Sequence, residues 1–449
     1  MDRDVVIVGA GVVGAAIARE LTRYRLDVTL LEAGPDVGAG TSKANTALLH
    51  TGFDAKPGTL EAGLVARGFE LLSEHAPSVG IPVERTGALL VAWDDEQLGE
   101  LAGIVARSRS NGYAAIRELS AHELYELEPA LGPGARGGLE VPDEGLICPF
   151  TTPLAFATEA VMAGCELRRG TEVTGAERLP GGGFRVETPA GSLTARRLVN
   201  AAGLRSDEVD GLLGYERFTV TPRRGELIVF DKLTRPLVRH IVLAVPTRVS
   251  KGVLVAPTVF GNVMVGPTAE DVPDKSDTSS TEAGLEYLRQ EALRIVPRLL
   301  DFELTAVYVG LRAATEHADF QIHFDDGYAC VGGIRSTGLS ASMAIAEHVR
   351  DGLELELERP ADLPSLRMPN IGEAFPRPYQ RTDLIASDPD YGRIVCFCER
   401  VTRGEIRDAF DSPIPPVDLD GLRRRTRAHM GRCQGFYCGA QLARLVADA

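Results

Sequence analysis

Val5-Val6-Ile7-Val8-Gly9-Ala10-Gly11-Val12-Val13-Gly14 decides the reading of this chain, because a β-branched apolar run passes without a break into Gly-x-Gly-x-x-Gly. Such a run favours a buried strand. The glycines after it serve different ends. Gly9 permits a tight turn, Gly11 lets backbone approach a pyrophosphate, and Gly14 lets the next helix pack close to the strand. The free N–H groups at that helix start, beside Val13, face negative charge. A helix is predicted over about Val13 to Tyr24 and a second strand over Asp27 to Glu32, which makes a βαβ unit. Glu32 stands where an acidic residue accepts from a ribose hydroxyl, and its charge disfavours a 2′-phosphate. The glycines alone would also suit a βα turn with no ligand; strand, helix and acid together point to a dinucleotide.

The 449 residues exceed what one core usually covers, so two or three domains are expected. A hydrophobic content of 44% with 25% charged residues is that of a globular chain and argues against disorder. A net charge of -15 repels nucleic acid and anionic lipid, so no nucleic-acid partner is expected. The one dense basic run, Arg423-Arg424-Arg425 with Arg427, reads equally as a solvated helix face, a partner-docking patch or a counter-charge for a metal centre. No apolar stretch is long enough to span a bilayer and no signal peptide is evident. Seven cysteines without such a signal suit a reducing compartment, so the cytoplasm, or the inner face of the membrane as a peripheral protein, is the expected location.

Further along, helices are predicted over Leu60 to His75, Asp95 to Arg107 and Pro153 to Ala163, with a strand at Gly87 to Trp93. The turn-rich stretch Pro142 to Pro149 reads as a crossing between domains. Short strands follow at 166–168, 172–178, 184–188 and 197–201. Runs at 226–230, 252–256 and 263–266 suggest an antiparallel sheet, complemented by a helix over Glu282 to Val296. A second strand, glycine turn and helix come at Ala329 to Gly333 and Ser340 to Val349. Beyond Asp351 the prolines Pro360, Pro364, Pro369, Pro376 and Pro378 mark a surface linker. The expected fold is mixed α/β and α+β: a body over 1–355, a linker over 356–390 and a small four-cysteine module over 391–449. Within the body, about 1–55, 150–215 and 325–355 form the nucleotide domain, and about 56–149 and 216–324 form a substrate domain.

Two later segments extend the nucleotide site. Thr41-Ser42-Lys43-Ala44-Asn45 offers hydroxyl and amide groups, and Leu198 to Gly203 is a second strand ending in small residues. Gly332 to Ser340 is another strand-to-helix turn, whose helix start suits negative charge on a reduced ring. Thr41, Ser42, Asn45, Val173, Ala202, Gly203, Gly333, Thr337, Gly338 and Leu339 therefore join the first glycines as expected cofactor contacts, and segments so separated imply an elongated dinucleotide. At the other end Cys396-x-Cys398 and Cys433-x-x-x-x-Cys438 supply four thiols in an array that no packed core needs. They suit an iron–sulfur cluster or zinc; structural zinc favours C-x-x-C, and the opening pair here is C-x-C. Cys148, Cys165 and Cys330 fall in apolar or strand-like settings and read as small buried residues.

At its cofactor segments the chain resembles the D-amino-acid-oxidase-type flavoproteins. Its run Thr41 to Leu60, the turn Pro222 to Glu226, Pro257 to Thr268, Gly310 to Ala313 and Gly338 to Ser340 resemble the anaerobic-type FAD-dependent glycerol-3-phosphate dehydrogenases more closely, and are also similar to L-2-hydroxyglutarate oxidases. The likeness spans roughly Asp4 to Val349. It implies FAD in a Rossmann-like domain beside an antiparallel-sheet substrate domain, a secondary alcohol as hydride donor, and electron release to something other than bound NAD. The cysteine module resembles the [2Fe-2S] domain of bacterioferritin-associated ferredoxin, matching all four ligand positions, with zinc the alternative metal. A quinone-linked or flavoprotein acceptor is the expected partner.

Flavin oxidation of an alcohol also needs a group to take the hydroxyl proton. His50 is the candidate base, since imidazole titrates near neutrality and follows the flavin-contacting segment; a strand histidine bonded for structure is the plainer reading. Arg312 is placed to grip a phosphate or carboxylate through two parallel bonds, unless it is a surface ion pair. Lys251 and Arg335 are secondary anion contacts, and His317 a second polar group over the ring. The expected substrate is sn-glycerol 3-phosphate, oxidised to dihydroxyacetone phosphate. L-2-hydroxyglutarate or another 2-hydroxy acid comes next, then an amine or imino acid. A non-catalytic electron-transfer subunit and a zinc-stabilised oxidase stand as further alternatives.

Overall fold

The computed structural model describes residues 2–246, 252–358 and 360–447. At its centre the strand Arg3–Val8 pairs in parallel with Val28–Leu31 on one side and Gly191–Asn200 on the other, and Glu166–Arg168 and Tyr328–Gly332 extend the parallel array outward. Val5, Val6 and Ile7 have no exposed surface, as a strand covered on both faces requires. The helix Val12–Thr22 packs between Thr151–Met162 and Gly338–Gly352, and Leu60–Val79 packs on the last of these.

A second, nine-stranded sheet forms the other half of the body. Its spine is Val220–Phe230 paired antiparallel with Leu304–Thr315, in a register that sets Arg223 opposite Arg312. The first of these runs well beyond the apolar stretch that announces it, because Arg224 is buried in mid-strand and pairs there with Glu270 (2.6 Å) and Asp277 (3.1 Å). The stretch 142–149 also differs from the predicted plain crossing. It contains Gly145–Ile147, a fully buried strand held between Leu48–Leu49 and Val83–Glu84. That pairing delivers Glu144 to His50.

The proline-rich linker is a strap tied down along its length. Its Ala361 N–H donates to Arg23 O (2.7 Å), Met368 N–H to Val79 O (2.7 Å) and Glu373 N–H to Val259 O (2.8 Å). Beyond it the small sheet Ile394–Cys396 and Val401–Thr402 and the helices Arg403–Phe410, Leu419–Thr426 and Gly439–Ala447 enclose their own apolar core.

The basic run does not face water. Asp36, with no exposed surface, accepts from Arg424 (2.7 Å) and from both terminal nitrogens of Arg425 (2.6 and 2.8 Å). Arg427 reaches the buried Glu399 (3.2 Å), which also takes Lys232 (3.0 Å), and Lys43 pairs with Asp420 (3.2 Å). Three of the four arginines are therefore buried against their own chain, and the solvated-face reading of the run is corrected for them.

Candidate functional site

A cavity of about 1220 Å³ lies between the two sheets, lined by Gly11, Val12 and Val13 of the glycine turn, by His50 just after the strand Leu48–Leu49, and by Arg312 of the second sheet. Roughly 300–1,000 Å³ serves a drug-sized ligand, so this volume suits a dinucleotide together with a small substrate. The first glycine turn is shaped for backbone approach. Gly9 has φ +100° and a Cβ on it would lie 2.5 Å from Ala201 O, while a Cβ on Gly14 would lie 1.9 Å from Gly9 O. The helix that follows has no side-chain cap; Ser42 Oγ takes one of its N–H groups, from Val12 (2.9 Å), and carries the Thr41–Lys43 turn onto the cavity wall.

Glu32 accepts from the N–H groups of Ala10 and Gly34, each at 2.7 Å, and so braces the glycine turn. Burial pushes its carboxyl pKa up against those two donors. Thr41, Ser42, Asn45, Gly203, Gly333, Thr337, Gly338 and Leu339 all line the cavity. Val173 and Ala202 do not; both pack on a hydrophobic cluster under the sheet, although Ala201 and Gly203 on either side of Ala202 face the cavity. Glycines that exclude side chains, a helix start without a side-chain N-cap and a hollow of this volume fit FAD.

His50 is fixed at three points. Its N–H donates to Ser340 Oγ (2.8 Å), its Nδ1 lies 2.9 Å from Glu144 Oε1, and its Nε2 lies 3.0 Å from Asp54 Oδ1. Burial alone would lower the imidazole pKa, but the Glu144 charge and the bonds to both carboxylates outweigh it and hold the value well above the ordinary one. Arg312 reaches the same cavity from mid-strand, donating, among the described residues, only to Thr268 O (3.3 and 3.2 Å). Among the described residues no carboxylate pairs with it. Burial, helped by the Arg223 guanidinium, brings its pKa down to about 10.

The remaining expected contacts scatter. Arg335 lines the cavity but spends a donor on Ala318 O (2.6 Å) and sits 3.6 Å from Glu61. Lys251 lies outside the described residues. His317 is corrected: it stands exposed past the end of Leu304–Thr315, near Arg217 O (3.4 Å) and off the cavity, because the chain turns away there. Glu144 and Asp54 were missed, since an acid in Pro-Asp-Glu-Gly or Phe-Asp-Ala looks like a solvated turn.

In the C-terminal module Cys398 lies beside Cys433 and Cys396 beside Cys438, and none is in a disulfide. The backbone N–H groups of Tyr437, Gly435 and Phe436 donate to Cys433 and hold its pKa down, while burial and then Cys396 push Cys438 up to about 12. N–H donors aimed at sulfur suit thiolate ligands of a cluster. Among the described residues no three such side chains stand close enough to hold one metal ion, and two thiol pairs suit a two-iron cluster better than one tetrahedral zinc.

The chain belongs to the FAD dependent oxidoreductase family, which it matches over residues 4–351. Residues 394–448 match the BFD-like [2Fe-2S] binding domain, so FAD and a [2Fe-2S] cluster are its cofactors. A glycerol 3-phosphate dehydrogenase of Caloramator mitchellensis is 36% identical over 99% of this chain and 94% of its own length. A glycerol 3-phosphate oxidase of Mycoplasma pneumoniae is 32% identical, over 79% and 94%. The solved structure of dithionite-reduced L-α-glycerophosphate oxidase from Mycoplasma pneumoniae with FAD bound superposes with a TM-score of 0.78 at 30% identity, covering 82% of this chain and 99% of that one. No described helix is long and apolar enough to cross a membrane.

Proposed function

We propose that the chain oxidises sn-glycerol 3-phosphate to dihydroxyacetone phosphate and passes the electrons outward through its [2Fe-2S] module. The observation that carries this reading is Arg312, a cavity guanidinium without a carboxylate partner among the described residues, on the same cavity as His50. Guanidinium forks grip phosphate through paired bonds, and a buried cation without a counter-ion is stabilised when an anion arrives. The similar glycerol 3-phosphate enzymes support the same substrate. FAD, when bound, accepts the hydride. The protein's part is to anchor the phosphate on Arg312, hold the carbinol between His50 and the Gly333 to Ser340 turn, and take up the hydroxyl proton at the imidazole.

Departure through the module is supported by its surface. Phe397, Phe436 and Tyr437 sit between the ligand cysteines and are 69%, 84% and 72% exposed, which offers a redox partner or quinone an apolar approach. A 2-hydroxy acid is the second reading, because Arg312 would hold a carboxylate equally well. Anaerobic titration of the FAD-loaded protein decides. Bleaching of the flavin bands by sn-glycerol 3-phosphate but not by L-2-hydroxyglutarate is the expected result; the reverse assigns the hydroxy acid, and no bleaching by either refutes the alcohol reading.

A further inference from the structure

Glu144 has no exposed surface, yet no arginine or lysine pairs with it among the described residues. Its Oε1 accepts from Thr51 N (2.7 Å), Thr51 Oγ1 (2.8 Å) and His50 Nδ1 (2.9 Å), and its Oε2 is buried with no partner. His50 is thus its one cationic neighbour among those residues. A proton taken from Nδ1 would leave a buried carboxylate facing a bare ring nitrogen, which is strongly unfavourable. Nε2 has a different neighbour. Asp54 lines the cavity with a side chain about a quarter exposed (26%), so a proton passed to it has a way to water.

We infer that Glu144, His50 and Asp54 form a proton relay in which Glu144 is a positioning residue that keeps the Nδ1 proton in place, and Asp54 carries the Nε2 proton out of the site. The inference rests on the alcohol-oxidation reading above. Before substrate reacts, Nε2–H gives its proton to Asp54 and Asp54 releases it to water. The vacated Nε2 then takes the substrate O–H proton as the C–H electron pair leaves as hydride, FAD being the acceptor. Charge and protons balance without a further reagent. Ser340 on the neighbouring helix is neutral and takes only the His50 N–H. Arg107 approaches the Asp54 carbonyl (3.4 Å), Tyr113 and Asp143 lie behind Glu144, and Lys56 shares the cavity wall; the groups that act directly on the imidazole are Glu144 and Asp54.

The test uses FAD-loaded protein with 15N-labelled histidine, the His50 signal among the eight histidines being assigned by its loss in His50→Gln. In Glu144→Gln the His50 titration midpoint falls, and anaerobic flavin reduction by sn-glycerol 3-phosphate slows by about 10²–10⁴-fold, the usual worth of an oriented general base. In Asp54→Asn the midpoint also falls, and the slowed reduction recovers as acetate buffer is added, since a diffusing carboxylate replaces the missing carrier. An unchanged midpoint in Glu144→Gln overturns the positioning role. Absence of buffer rescue in Asp54→Asn overturns the carrier. Should Glu144→Gln not fold, Asp54→Asn alone decides between relay and scaffold. The titration needs no substrate, so a wrong substrate and a wrong relay give different results.

Discussion

In the proposed role Arg312 carries two demands at once, since a strand interior favours apolar residues and a forked grip on an anion favours a guanidinium. The first is met by burying its stem, the second by leaving its head, among the described residues, on Thr268 O alone. Arg312→Lys keeps the charge and loses the fork; one charged hydrogen bond is worth about 1.5–3 kcal/mol, so the KM for glycerol phosphate should rise about 10- to 100-fold with a smaller change in kcat. Steady-state kinetics separate the two, and an unchanged KM would remove Arg312 from anion binding.

At His50 the raised folded pKa makes the histidine's stability contribution complete below the unfolded value of about 6.5, and that contribution is lost as pH rises through the folded value. His50→Gln should accordingly cost most at about pH 6 and progressively less toward pH 10. Urea midpoints at both ends measure this; a cost that grows with pH contradicts the paired imidazolium. His50 and Arg312 could be placed at the cavity from sequence because each is a reactive type beside a recognisable segment. Glu144 could not, because its contact with His50 depends on a strand pairing that only tertiary contact creates.

Among elements, those with a strong local period were legible. The helices 60–79, 95–110 and 282–295 and the glycine turn differ from expectation only at their ends. The spine strands 220–230 and 304–315 were seen only in part, since Arg223, Arg224 and Arg312 interrupt the apolar alternation, the first two paired there with carboxylates distant in sequence. The helix Leu419–Thr426 is the sharpest case: its arginines invite a solvent-facing reading, and Asp36, nearly four hundred residues earlier, reverses it. Asp36→Asn leaves two buried guanidinium groups short of a counter-charge, and a loss of about 3–5 kcal/mol is expected. It should appear as cleavage of the strap between 356 and 393 in limited proteolysis. Wild-type resistance in the variant would show that the strap alone fastens the module.

For the molecule as a whole, the parallel sheet, the antiparallel sheet and the four-thiol module are separable in composition, while the way they are joined is not. Cys398→Ser should abolish the roughly two irons per chain that a [2Fe-2S] centre contributes and leave FAD bound, because flavin and cluster occupy different parts of the chain. Iron analysis and the flavin spectrum of one preparation test it; loss of both would tie flavin retention to an intact cluster.

That joining bears on how the protein is made. Asp36 belongs to the loop that follows the braced Glu32 turn, and its counter-ions Arg424 and Arg425 leave the ribosome nearly four hundred residues after it. Chains fold largely from the N-terminus as they emerge. A nascent polypeptide that halts short of residue 424 therefore exposes a carboxylate designed for burial. Emergence of the helix Leu419–Thr426 is the event that closes this corner of the enzyme.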